Sequence, residues 1–162
     1  VSDLPVGRQI AGLVLALVIV FSAAALGIPF TARATAGWYG DIAKPSWTPP
    51  NWLFGPVWTV LYTMMALAVW LIWRQGRGAA NRIPLQLFFV QLLLNAAWTP
   101  IFFGARAFGL AAVEIMLLWC AILLCLVAFA RSKPLSAWLM LPYLAWVSFA
   151  AVLNVTLWWM NR

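Results

Sequence analysis

The stretch AFGLAAVEIMLLWCAILLCLVAFA, Ala107 to Ala130, lies between Arg106 and Arg131 and contains a single ionisable side chain, Glu114. A helix rises 1.5 Å per residue, so about 20 predominantly apolar residues cross the hydrocarbon of a bilayer. This run of 24 residues has that length. It also lacks the polar-apolar alternation that a lipid-facing barrel strand requires. It reads as a membrane-spanning helix. Working outward, the gaps Arg8 to Arg33, Lys44 to Arg74, Arg82 to Arg106 and Lys133 to Arg162 enclose four further runs with no charge at all. Five transmembrane helices follow, near Gln9 to Phe30, Trp52 to Trp73, Ile83 to Gly104, Ala107 to Ala130 and Leu135 to Met160. The expected fold is an all-α membrane protein, a five-helix bundle forming one domain over 1–162. Only 8% of residues are charged, against roughly a quarter in soluble domains, which agrees with a chain bathed in lipid. The first span is too long for a signal-peptide core and is counted as structure.

Five spans place the termini on opposite sides. Arg8, Arg74, Arg77, Arg82, Arg131 and Lys133 fall on the N-terminal side, and Arg33, Lys44, Arg106 and Arg162 on the other. The positive-inside rule therefore favours a cytoplasmic N-terminus. A net charge of +7 suits anionic lipid headgroups, and nothing resembles a nucleic-acid-binding module. Cys120 and Cys125 stand five apart in one span, off a common helical face, and read as packing residues without a disulfide. Gly104 to Ala107 reads as a tight turn, and Ser132 as a cap ahead of Pro134.

The first connection, Thr31 to Asn51, is different. It carries Trp38, Tyr39 and Trp47, and the run Lys44-Pro-Ser-Trp-Thr-Pro-Pro50 cannot be continuous helix, because each proline fixes its own φ and biases the residue before it to extended backbone. Long loops in compact proteins are lids, binding loops or disordered, and this one is too aromatic for disorder. A structured first loop acting as a lid is expected, with Trp38, Tyr39 and Trp47 held in place by the prolines. Anchoring at the headgroup level is the alternative for these rings, and it accounts for Trp158 and Trp159.

Helix direction alternates, so depth beneath this connection follows from residue number. Trp58, Trp98 and Asn154 lie about 9 Å below it, Asn95 and Tyr62 about 15 Å and Trp146 about 21 Å. Trp58 with Tyr62, Asn95 with Trp98, and Trp146 with Ala150 and Asn154 each share a helix face at spacings of three or four. Three helices thus present aromatic and polar groups at overlapping depth. Asn95 and Asn154 should face inward, since an unpaired amide in hydrocarbon costs several kcal/mol. They serve either a pocket or interhelical hydrogen bonding. Pro100 loosens the third span beside Asn95, and Pro142 does the same in the fifth. An apolar aromatic cavity with a few amides suits a flat hydrophobic ligand and does not suit ions or sugars.

The 12 Trp are matched by an absence of His, which removes imidazole acid-base chemistry and histidine ligation of metal or haem. No metal site and no built-in cofactor are expected. Two of the three carboxylates, Asp3 and Asp41, lie outside the spans. Glu114 is the ionisable group within a span: it serves proton coupling, or it snorkels or pairs with Arg106.

Three motifs then stand in order along the chain: Trp38-Tyr39 with Lys44-Pro-Ser-Trp-Thr-Pro-Pro50; Leu94-Asn-Ala-Ala-Trp-Thr-Pro-Ile-Phe-Phe-Gly104; and Pro142-Tyr-Leu-Ala-Trp146 with Ala150 and Leu153-Asn154. Together they resemble the tryptophan-rich sensory protein and translocator protein family, the peripheral-type benzodiazepine receptors. The resemblance implies an often dimeric five-helix bundle that binds protoporphyrin IX or related tetrapyrroles and synthetic isoquinoline carboxamide or benzodiazepine-type ligands. It places ligand contacts at Tyr39, Pro49, Trp58, Tyr62, Asn95, Trp98, Trp146 and Ala150. It further implies light-dependent oxidative porphyrin breakdown at Trp58 and Trp146 in bacterial members. Animal members also bind cholesterol, through a fifth-helix motif whose Tyr is missing from Leu153 to Arg162. The expected function is a tetrapyrrole-binding sensor or regulator in a bacterial inner membrane, with transport of porphyrin or other lipophilic molecules as the alternative. Any porphyrin is a ligand held by stacking and amides, with no axial imidazole from this chain.

Overall fold

The computed structural model describes residues 4–76 and 79–162. Asp3 and Arg77, which enter the charge map, lie outside the described residues. The chain forms helices α1 (Val6–Ala25), α2 (Ile28–Thr35), α3 (Asn51–Trp73), α4 (Ala79–Thr99), α5 (Phe108–Ser132) and α6 (Pro134–Met160). With α1 and α2 taken as one run, Val6–Thr35, five segments are long and apolar enough to cross a membrane. There is no strand among the described residues. Helix is the form that satisfies every backbone N–H and C=O within its own segment, as hydrocarbon demands. Prolines mark the starts: Pro50 precedes α3, Pro29 lies in the first turn of α2 and Pro134 in that of α6.

Two boundaries differ from the expected ones. The first span breaks at Leu26–Gly27, because Pro29 has no N–H to offer the carbonyl of Ala25, and helix restarts as α2. That restart carries helix past Arg33 to Thr35, so the first connection begins at Ala36 and not at Thr31. A charge marks the hydrocarbon edge without ending a helix there. Ser132 is no cap either: α5 runs through it, and its hydroxyl donates to Asn81 Oδ1 at 2.9 Å, tying α5 to α4.

The helices close a ring in the order α1, α3, α6, α5, α4. The half of the ring away from the first connection is solid, filled by Met65, Ile72, Phe88, Ile122, Phe129 and Met140, with the Phe88 and Phe129 rings stacked at 6.1 Å. Trp70 Nε1 donates to the Gln9 carbonyl at 2.9 Å and fastens the start of α1 to the end of α3. In the half beneath the first connection the packing changes. The expected loosening at Pro100 takes a definite form, a π-helical turn over Pro100–Gly104. The expected tight turn follows, with Arg106 at φ 53. Helix α2 lies against this π turn, and the approach needs Gly27, where a Cβ would come within 2.9 Å of Thr99. With α2 drawn to that side, the ring is left hollow.

Candidate ligand-binding site

The hollow is a cavity of 620 Å³, within the few-hundred to 1,000 Å³ range of small-molecule sites. Of the residues selected from sequence, Tyr39, Trp58, Tyr62, Asn95, Trp98, Trp146, Ala150 and Asn154 line it. Two ring pairs present flat faces: Trp58 on Tyr62 at 5.0 Å and 25°, and Trp98 on Phe102 at 4.8 Å and 22°. Trp146 stands between Phe54 and Phe149 at 5.9 and 5.5 Å. Sequence reasoning missed Phe54, Phe102 and Phe103 among the lining residues. The signal was present for Phe102, which follows Trp98 by four on one helix face.

The two readings of the asparagines merge. Asn95 lines the cavity, yet its amide is committed: Tyr62 Oη donates to Asn95 Oδ1 at 3.0 Å, and Asn95 Nδ2 donates to Tyr143 Oη at 3.0 Å. Helices α3, α4 and α6 are joined by that relay. Asn154 accepts from Trp98 Nε1 and donates through Nδ2 to the Phe108 carbonyl, both at 3.0 Å, joining α6 to α4 and α5. Buried amides paid by such partners leave an apolar wall. Trp58 and Trp146 are different, since among the described residues their indole N–H groups have no protein acceptor.

Above the cavity the first connection is packed in place. Tyr39 is buried edge-on against Phe102 and Phe103, and its burial pushes the hydroxyl pKa up from the ordinary value. Trp38 lies on Phe103 and Phe108 and does not itself line the cavity. Each ring carries a cation: Lys44 Nζ is 4.7 Å from the Tyr39 centroid, and the Arg106 guanidinium 4.9 Å from that of Trp38. Trp47 and Pro49 sit outside the lining set, Trp47 half-exposed and edge-on to Phe149. A clamp that no sequence pattern announced holds this segment to the end of the chain. Ala43 N–H donates to Asn161 Oδ1 at 3.0 Å, and Asn161 Nδ2 donates to the Ala43 carbonyl at 2.9 Å.

Glu114 neither snorkels nor pairs with Arg106. Its carboxyl is buried, both oxygens lack a hydrogen-bond partner among the described residues, and the Arg106 guanidinium is engaged on Trp38. The reason is rotational: Glu114 lies one turn after Ala111 and one before Leu118 on the buried side of α5. Gln91 and Ser136 are likewise buried with polar atoms that have no partner among the described residues, and neither was singled out from sequence. Among the described residues no cluster of His, Cys, Asp and Glu could hold a metal ion.

A ring of membrane-spanning helices around an aromatic, amide-braced hollow defines an integral membrane protein built to hold a lipophilic small molecule. Residues 14–160 match the TspO/MBR family, and the chain belongs to it. It is 41% identical over 157 residues to the tryptophan-rich protein TspO of Chlorobaculum tepidum, covering 95% of this chain and 98% of that one. It is 45% identical over 123 residues to the human translocator protein, covering 75% and 73% of the two chains. Protein CrtK of Rhodobacter capsulatus is 35% identical over 142 residues, 86% of each chain.

Proposed function

We propose that the protein is a membrane sensor or regulator that binds a tetrapyrrole of the protoporphyrin IX type in this cavity. The observation that carries the reading is the pairing of flat ring faces, Trp58 on Tyr62 and Trp98 on Phe102, around a single 620 Å³ space. A planar macrocycle stacks on such faces, and the free N–H groups of Trp58 and Trp146 supply donors at its edge. Lys44, held over the ring of Tyr39 that lines the cavity, favours a ligand whose polar end is anionic, as porphyrin propionates are. The basic-residue bias puts the N-terminus in the cytoplasm of a bacterial cell and the cavity toward the opposite leaflet.

Trp58 and Trp146 are also the electron-rich groups nearest such a ligand, suited to quench or reduce its excited state. Protoporphyrin IX titrated into the purified protein should quench tryptophan fluorescence saturably. Under light and air, Trp58→Phe combined with Trp146→Phe should keep porphyrin bound while slowing the loss of its absorbance to the rate in buffer. Normal photolysis by the double variant would discard the indole mechanism, and an absence of saturable quenching would discard the tetrapyrrole reading.

A further inference from the structure

We propose that the cavity fills sideways from the bilayer, through a slot between α2 and the first half of α3, and that Gly55 sets the width of that slot. The inference rests on the tetrapyrrole reading for its probe and on the geometry of the wall for its substance. Seven cavity-lining residues are exposed, and all lie on the α1–α2 run or the first half of α3: Phe21 and Ala25 at the end of α1, Ile28 and Ala32 on α2, and Asn51, Gly55 and Thr59 on α3. Ile28 is 63% exposed. Helices α2 and α3 both line the hollow, yet α2 packs on the π turn and not along α3, which leaves the wall open between them.

The gap has a structural cause. At the far end α1 is bound to α3 by the Trp70 to Gln9 hydrogen bond and by the close seat of Gly12 against the Trp73 ring. At the near end the break at Gly27 hands the chain to α2, which lies on Thr99 and the π turn instead. The two helices therefore splay toward the first connection. Gly55 and Thr59 lie about 6 and 12 Å along α3 from Asn51, a span running from the headgroup boundary into hydrocarbon. The threonines at this rim turn their hydroxyls back onto their own helices: Thr59 Oγ1 donates to the Gly55 carbonyl at 2.9 Å, and Thr31 Oγ1 to that of Gly27 at 3.2 Å. With those hydroxyls occupied, the rim offers mostly apolar surface, and Asn51 at the headgroup end of α3 is its one side-chain amide. The route past the first connection is shut by contrast, with Tyr39 buried and Ala43 clamped to Asn161. An amphiphile with an apolar body, already dissolved in the leaflet, fits this entrance; a water-borne polar solute does not.

A Cβ added at Gly55 meets nothing within 4 Å, so the position accepts a side chain, and Gly55→Leu adds bulk at the rim of the slot. In nanodiscs, with protoporphyrin IX as probe and tryptophan quenching followed by stopped flow, Gly55→Leu should slow association and release alike, by about tenfold, with Kd changed by less than about twofold. Asn161→Ala, which releases the roof, should leave the association rate as in wild type. Probe preloaded into the bilayer should bind as fast as its mole fraction in lipid dictates, independent of its aqueous concentration. An unchanged association rate in Gly55→Leu, a weakened Kd with normal association, or faster association in Asn161→Ala would each overturn lateral entry. If wild type shows no saturable quenching, the tetrapyrrole reading fails and the slot is read directly: phosphatidylcholine brominated in its acyl chains should quench Trp58 less in Gly55→Leu than in wild type. Equal quenching overturns the slot.

Discussion

The Asn95 relay makes a prediction in which a single substitution changes sign with its background. Tyr143 is fully buried, and the hydrogen bond that Asn95 Nδ2 donates to its Oη is the one that hydroxyl has among the described residues. Tyr143→Phe in the native chain leaves Asn95 Nδ2 unpartnered and should cost about 1 kcal/mol, near the average for interhelical hydrogen bonds in membranes. Asn95→Leu removes the acceptor of Tyr62 and strands the Tyr143 hydroxyl, and should cost about 2 kcal/mol. Once Asn95 is Leu, however, Tyr143→Phe deletes an unsatisfied buried group and should restore about 1 kcal/mol. The coupling energy is then about 2 kcal/mol, measured as the departure from additivity of the four proteins. Reversible unfolding in mixed micelles, followed by tryptophan emission, supplies the four stabilities. Tyr143→Phe costing the same in both backgrounds would refute the relay as a stabilising link between α4 and α6.

Two further outcomes are expected. Asn161→Ala removes both bonds of the Ala43 clamp, so the Ala43 amide should exchange its hydrogen about tenfold faster by mass-resolved exchange, while amides of the distant α4–α5 core are unchanged. Unchanged exchange at Ala43 would mean that packing of Trp38 and Tyr39 alone holds the connection. Glu114→Leu should raise stability by about 1–3 kcal/mol in the same unfolding assay, because two buried oxygens without partners are replaced by apolar surface. A fall in stability would show the carboxyl to be satisfied.

The site was legible to the depth that helical periodicity reaches. Trp58 with Tyr62 and Trp98 with Asn95 were selected because residues three or four apart share a face and because depth follows from residue number, and all four line the cavity. The first connection shows where that method stops. Its prolines excluded helix over Lys44 to Pro50, and none forms there. They did not say that Trp38 would lie over Phe108, that Trp47 and Pro49 would stay outside the lining, or that Asn161 would reach Ala43, since these depend on how segments far apart in sequence come together. Glu114 was misjudged for a related reason. Its distance from Arg106 along the helix was known, but its rotation toward the interior was set by packing of α5.

By itself the sequence determined that this chain spans a membrane five times. The cost of charge in hydrocarbon and the need to satisfy backbone polar groups within each segment leave almost no other use for such long uncharged runs. It also determined the chemistry available: many indoles, no imidazole, and amides in place of ions. Tertiary structure decided where the bundle is solid and where it is hollow. A proline in the first turn of α2 and a glycine at its start redirect that helix onto a π turn opened by another proline, and a cavity with an open side results. Each of those residues acts locally, but the gap belongs to the distance between helices, a quantity that no segment of the sequence carries alone.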